Sequence, residues 1–299
     1  MEEIRLCPIC SSPRQSPFAT VHEGPGQVPY QVCRGCGHVY QSPRMTEDEL
    51  KAFYAREYRL IRQASEGPTE KDLAMQVARA RVTLGLIATR IPAAARHLDL
   101  GSSSGALMEA FQRHFGSTSV GVEPGEAYLN YSRGRGHRVY HSLESLSEAG
   151  EPLFDVVSVM HVLEHLPNPV GSLVELREKY MTSRGLLLVE VPNLADHQSF
   201  ELAHLHAFTA STLTDCLARA GFRKVWARTH GSFRSPVLRL YITLLARVTD
   251  TPSPTRPFPF PALRHRLLRR LGSAKREFFT HHYPDWTWQS PEKVIEGRQ

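Results

Sequence analysis

Two pairs of cysteines near the amino terminus have the spacing of metal ligands. Cys7 and Cys10 form one C-x-x-C pair, Cys33 and Cys36 form the other, and 22 residues separate the pairs. Four thiolates from two such turns complete a tetrahedral shell around Zn²⁺, and a closed shell of this kind is structural. A redox-active dithiol, which needs only one pair, is the alternative. The fifth cysteine, Cys216, is predicted to be a small buried residue of a helix.

A second candidate site begins at Asp99, where an apolar run enters the turn Gly101–Gly105 and a helical pattern follows. The next apolar run ends at Glu123, whose carboxylate is suited to accept both hydroxyls of a ribose. Ser at position 103 and Ala at position 106 break the G-x-G-x-x-G pattern of dinucleotide-binding proteins, and the turn has no Walker lysine. An acid directly before the glycines repels a pyrophosphate and attracts an ammonium group. The pattern therefore favours a nucleoside that carries an amino acid, as S-adenosylmethionine does.

The elements that must position these residues are alternating strands and helices. Thr46 and Glu49 form a capping box that starts one helix, and a second helix is predicted over residues 70–90. Strands rich in Val and Leu that alternate with helices predict an α/β fold with a mostly parallel sheet. The predicted strands are residues 95–100, 118–123, 137–140, 153–160, 185–191, 222–229 and 238–248.

Four motifs in this order resemble those of class I S-adenosylmethionine-dependent methyltransferases. They are Asp99-Leu-Gly-Ser-Ser-Ser-Gly105, Glu123-Pro124, Phe154–His165 and Val191-Pro192-Asn193. The resemblance covers residues 96–247 and implies a seven-stranded, mostly parallel Rossmann-like sheet whose last strand, about 238–247, runs antiparallel. The family usually has a glycine in the middle of the first motif, where this chain has Ser103.

The resemblance assigns residues to each part of the cofactor. The methionine part would be lined by Asp99, Gly101, Ser102 and Gly105, and the ribose would be held by Glu123. The adenine would be contacted by Pro124, Leu143 and Glu144, and the residues closing over the cofactor at the end of the fourth strand would be Met160 and His161. Because the cofactor supplies the electrophilic methyl group, the protein must orient the acceptor and remove its proton.

The candidate general base lies after the fifth predicted strand. In the resembled group, a histidine followed by an aromatic-Thr/Ser pair lies over the methyl-transfer site, and residues 204–209 here read His-Leu-His-Ala-Phe-Thr. Neutral imidazole is basic near pH 7, so His204 is predicted to be the base, with His206 and His161 as the alternatives. A packing or capping role for His206 remains open.

The cysteine module and the segment that follows it resemble the front end of bacterial methyltransferases that act on sugars and other small molecules. The predicted acceptor is therefore a sugar, a nucleotide sugar or a secondary metabolite. The sequence leaves O- and C-methylation open, since both need a base near neutrality.

One competing interpretation concerns His161-Val-Leu-Glu-His165, which matches the H-x-x-E-H motif of inverted zinc peptidases. That motif requires a long helix. A predicted strand runs directly into His161, and Pro167 and Pro169 end any helix that follows. The peptidase interpretation is therefore disfavoured.

The other alternative is an RNA methyltransferase or RNA-binding module that uses the zinc knuckle and a basic tail. The chain has a formal net charge of +6, but residues 251–299 hold nine Lys and Arg against four acids, so the rest is nearly neutral. Phosphate binding requires basic groups around the site. The motif at 160–165 also differs from the Asn/Asp-Pro-Pro-Tyr/Phe of enzymes that methylate base amino groups. A small-molecule acceptor is predicted, and a nucleic acid is not.

The chain divides into four predicted segments. They are a zinc-binding module (1–43), a helical bridge or substrate lid (44–92), a class I core (93–250) and a basic extension rich in proline and aromatic residues (251–299). No apolar stretch is long enough for a membrane span, and the amino terminus lacks a signal-peptide pattern, so a cytoplasmic protein is expected.

Two features outside the core are candidates for further roles. Tyr54 and Tyr58 are candidates for the wall of the acceptor pocket. The mixture of proline, aromatic and basic residues after position 250 suggests a segment that docks onto a surface, as a lid or as the interface of a homo-oligomer.

Overall fold

The computed structural model describes residues 1–23, 26–56, 67–197, 200–249, 251 and 259–291. Tyr58 lies outside these residues, as does most of the proline-rich start of the extension. The strands are β1 Gln15–Glu23, β2 Gly26–Cys33, β3 Val39–Gln41, β4 Arg96–Leu100, β5 Thr118–Val122, β6 Arg138–Tyr140, β7 Phe154–Met160, β8 Met181–Pro192, β9 His206–Ala207, β10 Phe222–His230 and β11 Tyr241–Val248. The helices are α1 Glu47–Arg56, α2 Glu70–Ile87, α3 Ala106–Phe115, α4 Glu126–Gly134, α5 Leu143–Glu148, α6 Pro169–Tyr180, α7 Ala210–Arg219, α8 Pro261–His282 and α9 Pro284–Thr287.

Seven strands form the larger sheet, in the order β10-β11-β8-β7-β4-β5-β6. Five neighbouring strands pair in parallel, in the order β6, β5, β4, β7 and β8. Strand β11 is antiparallel to both β8 and β10. The predicted α/β class, the seven strands and the antiparallel last strand are therefore confirmed. The fifth strand of this sheet is longer than predicted, because β8 begins at Met181 and continues to Pro192.

Helices cover both faces of this sheet, which explains the continuous Val and Leu runs of its central strands. Val156 and Val157 point to opposite faces of β7, and both are fully buried. Phe111 of α3 belongs to the core on one face, and Leu213 of α7 belongs to the core on the other. Cys216 of α7 is also fully buried, as predicted.

A smaller sheet contains the strands of the cysteine module in the order β1-β2-β3-β9. Its outer strand, β9, comes from the segment that follows β8 and pairs with Val39 and Tyr40 of β3. Leu194 and Ala207, from the same segment, join the small apolar core of this sheet. The division of the chain at residue 43 stays a prediction, and the small sheet draws one strand from beyond it.

Two helices precede the larger sheet, and the first has the predicted capping box. The backbone N–H of Glu49 donates to Thr46 Oγ1, and Glu49 Oε2 accepts from the Thr46 N–H at 2.8 Å, which completes the predicted capping box. The second helix, α2, is capped by Thr69 and ends at Ile87, close to the predicted end at 90.

The extension forms the longest described helix, α8, which packs on the small sheet and on the segment after β8. His265 Nε2 donates to the carbonyl of Gly37 in the cysteine module, and Arg269 Nη1 donates to the carbonyl of Leu194 after β8. No helix in the described ranges combines the length and the apolar character needed to cross a membrane.

Candidate active site

The turn between β4 and α3 has the backbone that its glycines permit. Gly101 and Gly105 have φ values of +75° and +83°, in the left-handed region. A Cβ on Gly101 would lie 2.5 Å from Cγ2 of Val162, and a Cβ on Gly105 would lie 2.6 Å from the ring of His137. Both positions therefore require glycine for conformation and for space. The end of β7 consequently lies directly against the turn.

Ser103 occupies the middle of this turn with a φ of +50°. A side chain in the left-handed region is strained, and this explains why a glycine is usual at this position of the family's motif. The strained backbone directs the N–H of Ser103 to Oε2 of Glu123, at 2.9 Å. The turn is thus held to the end of β5 by a hydrogen bond to a carboxylate.

Two buried carboxyl groups lie at the carboxyl ends of β4 and β5. Glu123 also accepts a hydrogen bond from the Gly125 N–H at 2.8 Å, and Asp99 accepts one from Ser158 Oγ at 2.5 Å. Burial raises the pKa of Asp99 to about 7, although the bond from Ser158 opposes the rise. A cationic ammonium group placed beside Asp99 would restore its ionised form, so the site fits a ligand that carries one.

The other residues predicted to bind the cofactor follow the neighbouring strands at the same edge. Pro124 is exposed after β5, and Leu143 and Glu144 begin α5 just after β6. Met160 ends β7 and His161 follows it with a φ of +57°. Because β4 to β7 are parallel, their carboxyl ends bring all of these positions to one edge of the sheet.

A cluster of histidines and carboxylates extends this edge toward β8. His161 Nε2 lies 3.0 Å from Glu190 Oε1, and Thr243 Oγ1 donates to Glu190 Oε2 at 2.6 Å. Glu190 is fully buried, and His230 Nε2 lies 3.4 Å from its Oε2. Burial alone would raise the pKa of Glu190, but hydrogen bonds from His161 and His230 hold it well below its ordinary value. Glu190 is therefore an ionised partner for these rings.

The second half of the cluster contains Glu164, His165 and His204, whose ligand atoms lie within 4.8 Å of one another. His165 Nδ1 donates to the carbonyl of Ala203, and burial lowers the pKa of His165 to about 4. His204 Nε2 lies 2.8 Å from Glu201 Oε1, and its ring centroid is 4.9 Å from that of His165. The spacing of the three ligand atoms is one that a metal ion can use.

His206 lies in a different place from His204, although only one residue separates them. Its Nδ1 is 3.0 Å from His38 Nε2 in the cysteine module, and its Nε2 donates to the carbonyl of Leu166 at 2.9 Å. The side chain is buried, and burial lowers its pKa to about 3. The structure thus brings His161 and His204 into one cluster and puts the ring of His206 between the cysteine module and the loop before α6, with both ring nitrogens engaged.

The H-x-x-E-H motif does not lie on a helix. His161 follows β7 with a left-handed backbone, and Leu163–His165 form a single 3-10 turn. The peptidase interpretation therefore lacks the helix that it requires.

Sequence reasoning did not single out the carboxylate that holds His161. Glu190 sits in the apolar run Leu186-Leu-Leu-Val-Glu-Val191 of β8, where both faces of the strand are covered. A charged residue inside such a run must be paired to remain there. That conflict between charge and burial was the available signal.

The four cysteines of the module lie close enough to share one ion. Cys7 Sγ is 3.6 Å from Cys36 Sγ, and Cys10 Sγ is 3.5 Å from Cys33 Sγ. The N–H groups of Gly35 and Cys36 both point at Cys33 Sγ, at 3.3 and 3.5 Å. Amides directed at sulfur stabilise a thiolate, which is the form that binds metal.

Comparison with known proteins identifies the class. The sequence model of a family described as "Methyltransferase domain" matches residues 71–227, which is more than half of the chain. The chain belongs to this family and is an S-adenosylmethionine-dependent methyltransferase. The turn at Gly101 and the edge beside it lie within the matched residues.

Individual relatives are more distant or match a shorter segment. The ubiquinone biosynthesis O-methyltransferase of Hahella chejuensis is 40% identical over 83 residues, which are 25% of this chain and 34% of that protein. The match therefore spans about a third of the relative's length. A solved S-adenosylmethionine-dependent methyltransferase from Archaeoglobus fulgidus is 20% identical, with a TM-score of 0.50 over 64% of this chain and 99% of its own. A chain from the complex of the Haloferax volcanii Trm112 methyltransferase activator with a methyltransferase is 12% identical, with a TM-score of 0.50 over 69% of this chain and all of its own. At these identities the two structures support the fold alone.

Proposed function

We propose that this methyltransferase acts on a hydroxyl group of a small-molecule acceptor, and that a histidine held by a carboxylate removes the proton. The observation that carries the proposal is the pair His161–Glu190. His161 follows β7 beside the turn at Gly101, and Glu190 of β8 holds its ring. The partial match to a named O-methyltransferase supports transfer to oxygen. A sugar or a secondary metabolite with a hydroxyl group fits this chemistry equally well.

The predicted cofactor-binding residues stay part of the proposal. Asp99 and the turn Gly101–Gly105 would hold the amino acid part, and Glu123 would hold the ribose. Pro124, Leu143 and Glu144 would contact the adenine, and Met160 with His161 would cover the reacting end. When bound, the cofactor supplies a methyl group on a positively charged sulfur. The residues described below orient the acceptor's hydroxyl and accept its proton.

His161 is our first candidate for the base because its carboxylate partner is fully buried and fixed. Glu190 accepts the hydrogen of Nε2, so the neutral ring presents Nδ1 as its proton acceptor. When Nδ1 takes the proton, the ionised Glu190 stabilises the imidazolium that forms. Glu164 Oε1, 3.6 Å from Nδ1, stabilises it further. His161 is also the more exposed candidate, at 17% of its side chain against 8% for His204.

His204 is the second candidate, because Glu201 holds its Nε2 in the same way. The proposal leaves out His206, because its two ring nitrogens hold His38 and Leu166. A base role would require the hydrogen bond that Nδ1 accepts from His38 to break inside the protein.

We also propose that Cys7, Cys10, Cys33 and Cys36 bind one structural zinc ion. The four sulfur atoms lie within 4.8 Å of one another, and the amides of Gly35 and Cys36 point at one of them. Four thiolates leave no open position on zinc, so the ion would hold the module together and take no part in methyl transfer.

The test compares His161→Gln, His204→Gln and the double variant. We expect His204→Gln to bind S-adenosylhomocysteine by calorimetry like the parent. His161→Gln and the double variant lose one ring over the reacting end of the cofactor, and we expect them to keep binding through Asp99 and Glu123. With a panel of phenols, sugars and other hydroxylated acceptors, turnover should fall by about a hundredfold to ten-thousandfold in the variant that lacks the base. Mass spectrometry of the product identifies the methylated atom.

The control is His114→Gln, because His114 is exposed on α3 away from this edge. A double variant with the parent's turnover would overturn the histidine base. Turnover that is lost with a chelator and restored by Mg²⁺ or Mn²⁺ would assign Glu164, His165 and His204 to a cation that orients the acceptor instead. Failure of the parent to bind S-adenosylhomocysteine would contradict the assignment of the cofactor residues.

A further inference from the structure

One face of α8 is apolar and exposed. Leu263, Leu267, Leu271 and Phe278 recur at intervals of four and seven residues, so they form one stripe along the helix. Their exposed fractions lie between 52% and 70%. The stripe is about 15 residues long, or roughly 22 Å at 1.5 Å per residue. Apolar residues aligned in this way, rather than scattered singly, indicate a contact surface.

The opposite face of α8 fixes the orientation of the helix. His265 and Gly272 are buried, and they are seven residues apart on the side that faces the protein. His265 Nε2 donates to the carbonyl of Gly37, and a Cβ on Gly272 would lie 2.2 Å from the carbonyl oxygen of Ala195. This close approach prevents the helix from rolling. The stripe is therefore held outward by the packing of the other side.

The polar residues beside the stripe are almost all basic. Residues 261–282 contain six Arg and Lys and a single acid, Glu277. Arg264 and Arg270 are exposed on either side of the stripe, and Arg266 is exposed next to Arg270 on the helical wheel. An apolar stripe between arginines is the pattern of a helix that lies in the headgroup region of a membrane.

Exposed aromatic residues continue the surface beyond the end of α8. Tyr283, Trp286 and Trp288 are each 44–50% exposed, and the rings of Tyr283 and Trp286 stack at 5.1 Å between centroids. Trp286 is anchored by its carbonyl, which accepts from Ser235 Oγ at 2.7 Å. Amphipathic rings of this kind favour the boundary between lipid and water.

We propose that this face of α8 binds an anionic phospholipid surface, with the leucine stripe in the headgroup and acyl boundary. The arginines complement the negative charge of such a surface. A second copy of the chain is a poorer occupant, because the same arginines would line the stripe on both copies and repel one another. The protein would then be a peripheral membrane protein, held by one face of its longest described helix.

Vesicle sedimentation tests the proposal with the full chain. Vesicles of phosphatidylcholine mixed with phosphatidylglycerol should bind the protein, and phosphatidylcholine alone should bind it weakly. Binding should fall as salt rises, because exposed charges are screened. The variant Leu267→Glu with Leu271→Glu should reduce the vesicle-bound fraction by about tenfold or more, because two apolar contacts are replaced by charges that the lipid repels.

The matched control is Leu153→Glu with Val225→Glu, which adds the same two charges at exposed apolar residues outside α8. We expect this control to bind vesicles like the parent. Calorimetry with S-adenosylhomocysteine shows that each variant is folded, and it keeps this test separate from that of the proposed base.

Four results would overturn the proposal. The first is that the parent fails to bind the mixed vesicles. The second is that the variant Leu267→Glu with Leu271→Glu binds them as the parent does. Alternatively, sedimentation velocity shows a dimer of the parent that the same variant dissociates, which would make a second copy the occupant. Tight salt-dependent binding of RNA without binding to vesicles would assign the arginines to phosphates of a nucleic acid.

Discussion

The two sheets of this protein are stabilised in different ways. The seven-stranded sheet is covered by helices on both faces and contains a large continuous core, in which strands such as β7 and β8 are almost wholly buried. Among the described residues, the four-stranded sheet has a core of seven buried side chains, and two of these come from the segment after β8. The small sheet therefore depends on contacts from outside its own stretch of chain.

Three supports hold the small sheet, and two of them come from outside its own stretch of chain. The cysteines form a cluster at one end, β9 adds its outer strand, and α8 packs against its surface through His265. A short sequence with few large apolar side chains cannot bury enough surface to be stable alone. The cysteine cluster and the added strand β9 supply the stability that the small apolar core does not. The cysteine cluster and the contacts with the segment after β8 can each be broken separately.

Loss of a thiol should have the largest effect and should be confined to the small sheet. Cys36→Ser should reduce bound zinc from about one equivalent to near zero, because structural zinc contributes about 10–16 kcal/mol to folding in isolated finger peptides. Hydrogen exchange should show lost protection in β1 to β3 and retained protection in β4 to β8. Metal analysis of protein purified without a metal-affinity tag gives the stoichiometry.

Cys216→Ala is the control for this experiment, since Cys216 is buried in α7 and is not one of the four clustered cysteines. It should keep its zinc. A Cys36→Ser variant with the full zinc content would show that the four cysteines do not form the proposed site.

Acid should weaken the contact between the two sheets. Burial lowers the pKa of His206 to about 3, and burial also lowers the pKa of His38 well below its ordinary value of about 6.5. From about pH 6.5 down to pH 3, the unfolded chain thus binds more protons than the folded chain at these rings. The free energy of unfolding should fall with decreasing pH, by up to about 1.4 kcal/mol per pH unit for each ring. Urea unfolding between pH 7 and 5 measures the slope.

Two variants sharpen the pH experiment. His206→Gln should lower the slope of the free energy of unfolding against pH by up to about 1.4 kcal/mol per pH unit, which is the contribution of one proton. His114→Gln, on an exposed site of α3, should leave the slope unchanged. Equal slopes for the parent and His206→Gln would mean that His206 does not stay neutral in the folded protein.

A single hydroxyl should give the smallest effect. Tyr30 of β2 donates to the carbonyl of His204 at 2.7 Å and accepts from Gln41 Nε2 at 3.1 Å. Tyr30→Phe should cost about 1 kcal/mol of stability, because the carbonyl loses one buried partner. If His204 is the base, turnover should fall as well, since this bond links the small sheet to the backbone of His204. Tyr283→Phe, at an exposed ring, is the control and should change neither quantity.

The regular part of the fold could be predicted from sequence because its signals are local. Runs such as Leu186–Val191 show a buried parallel strand without reference to any other part of the chain, and the turn at Gly101 requires glycines by conformation. The assignment of Asp99 and Glu123 to a cofactor rests on the same local order of motifs.

The connection between the sheets could not be predicted, because it depends on pairing across a long stretch of chain. β9 is only two residues long, and its partner β3 lies more than 160 residues earlier. The sequence around His204 and His206 therefore gave no sign that one ring would face the carboxylates and the other the cysteine module. The helix α8 was also not predicted, because the proline-rich start of this segment and its many basic residues obscure the helical spacing of its leucines.

The hydrogen bond between His38 and His206 couples the tautomers of the two rings, so that the tautomer of one determines that of the other. The carbonyl of Leu166 can only accept, so Nε2 of His206 must carry the hydrogen and Nδ1 of the neutral ring must be bare. His38 must then donate through Nε2, which leaves its own Nδ1 bare. Both hydrogen bonds therefore point in the same direction. His38 donates to His206, and His206 donates to the carbonyl of Leu166 in the loop before α6. The tautomer of a ring in the cysteine module is thus set by a peptide carbonyl 128 positions away in the chain.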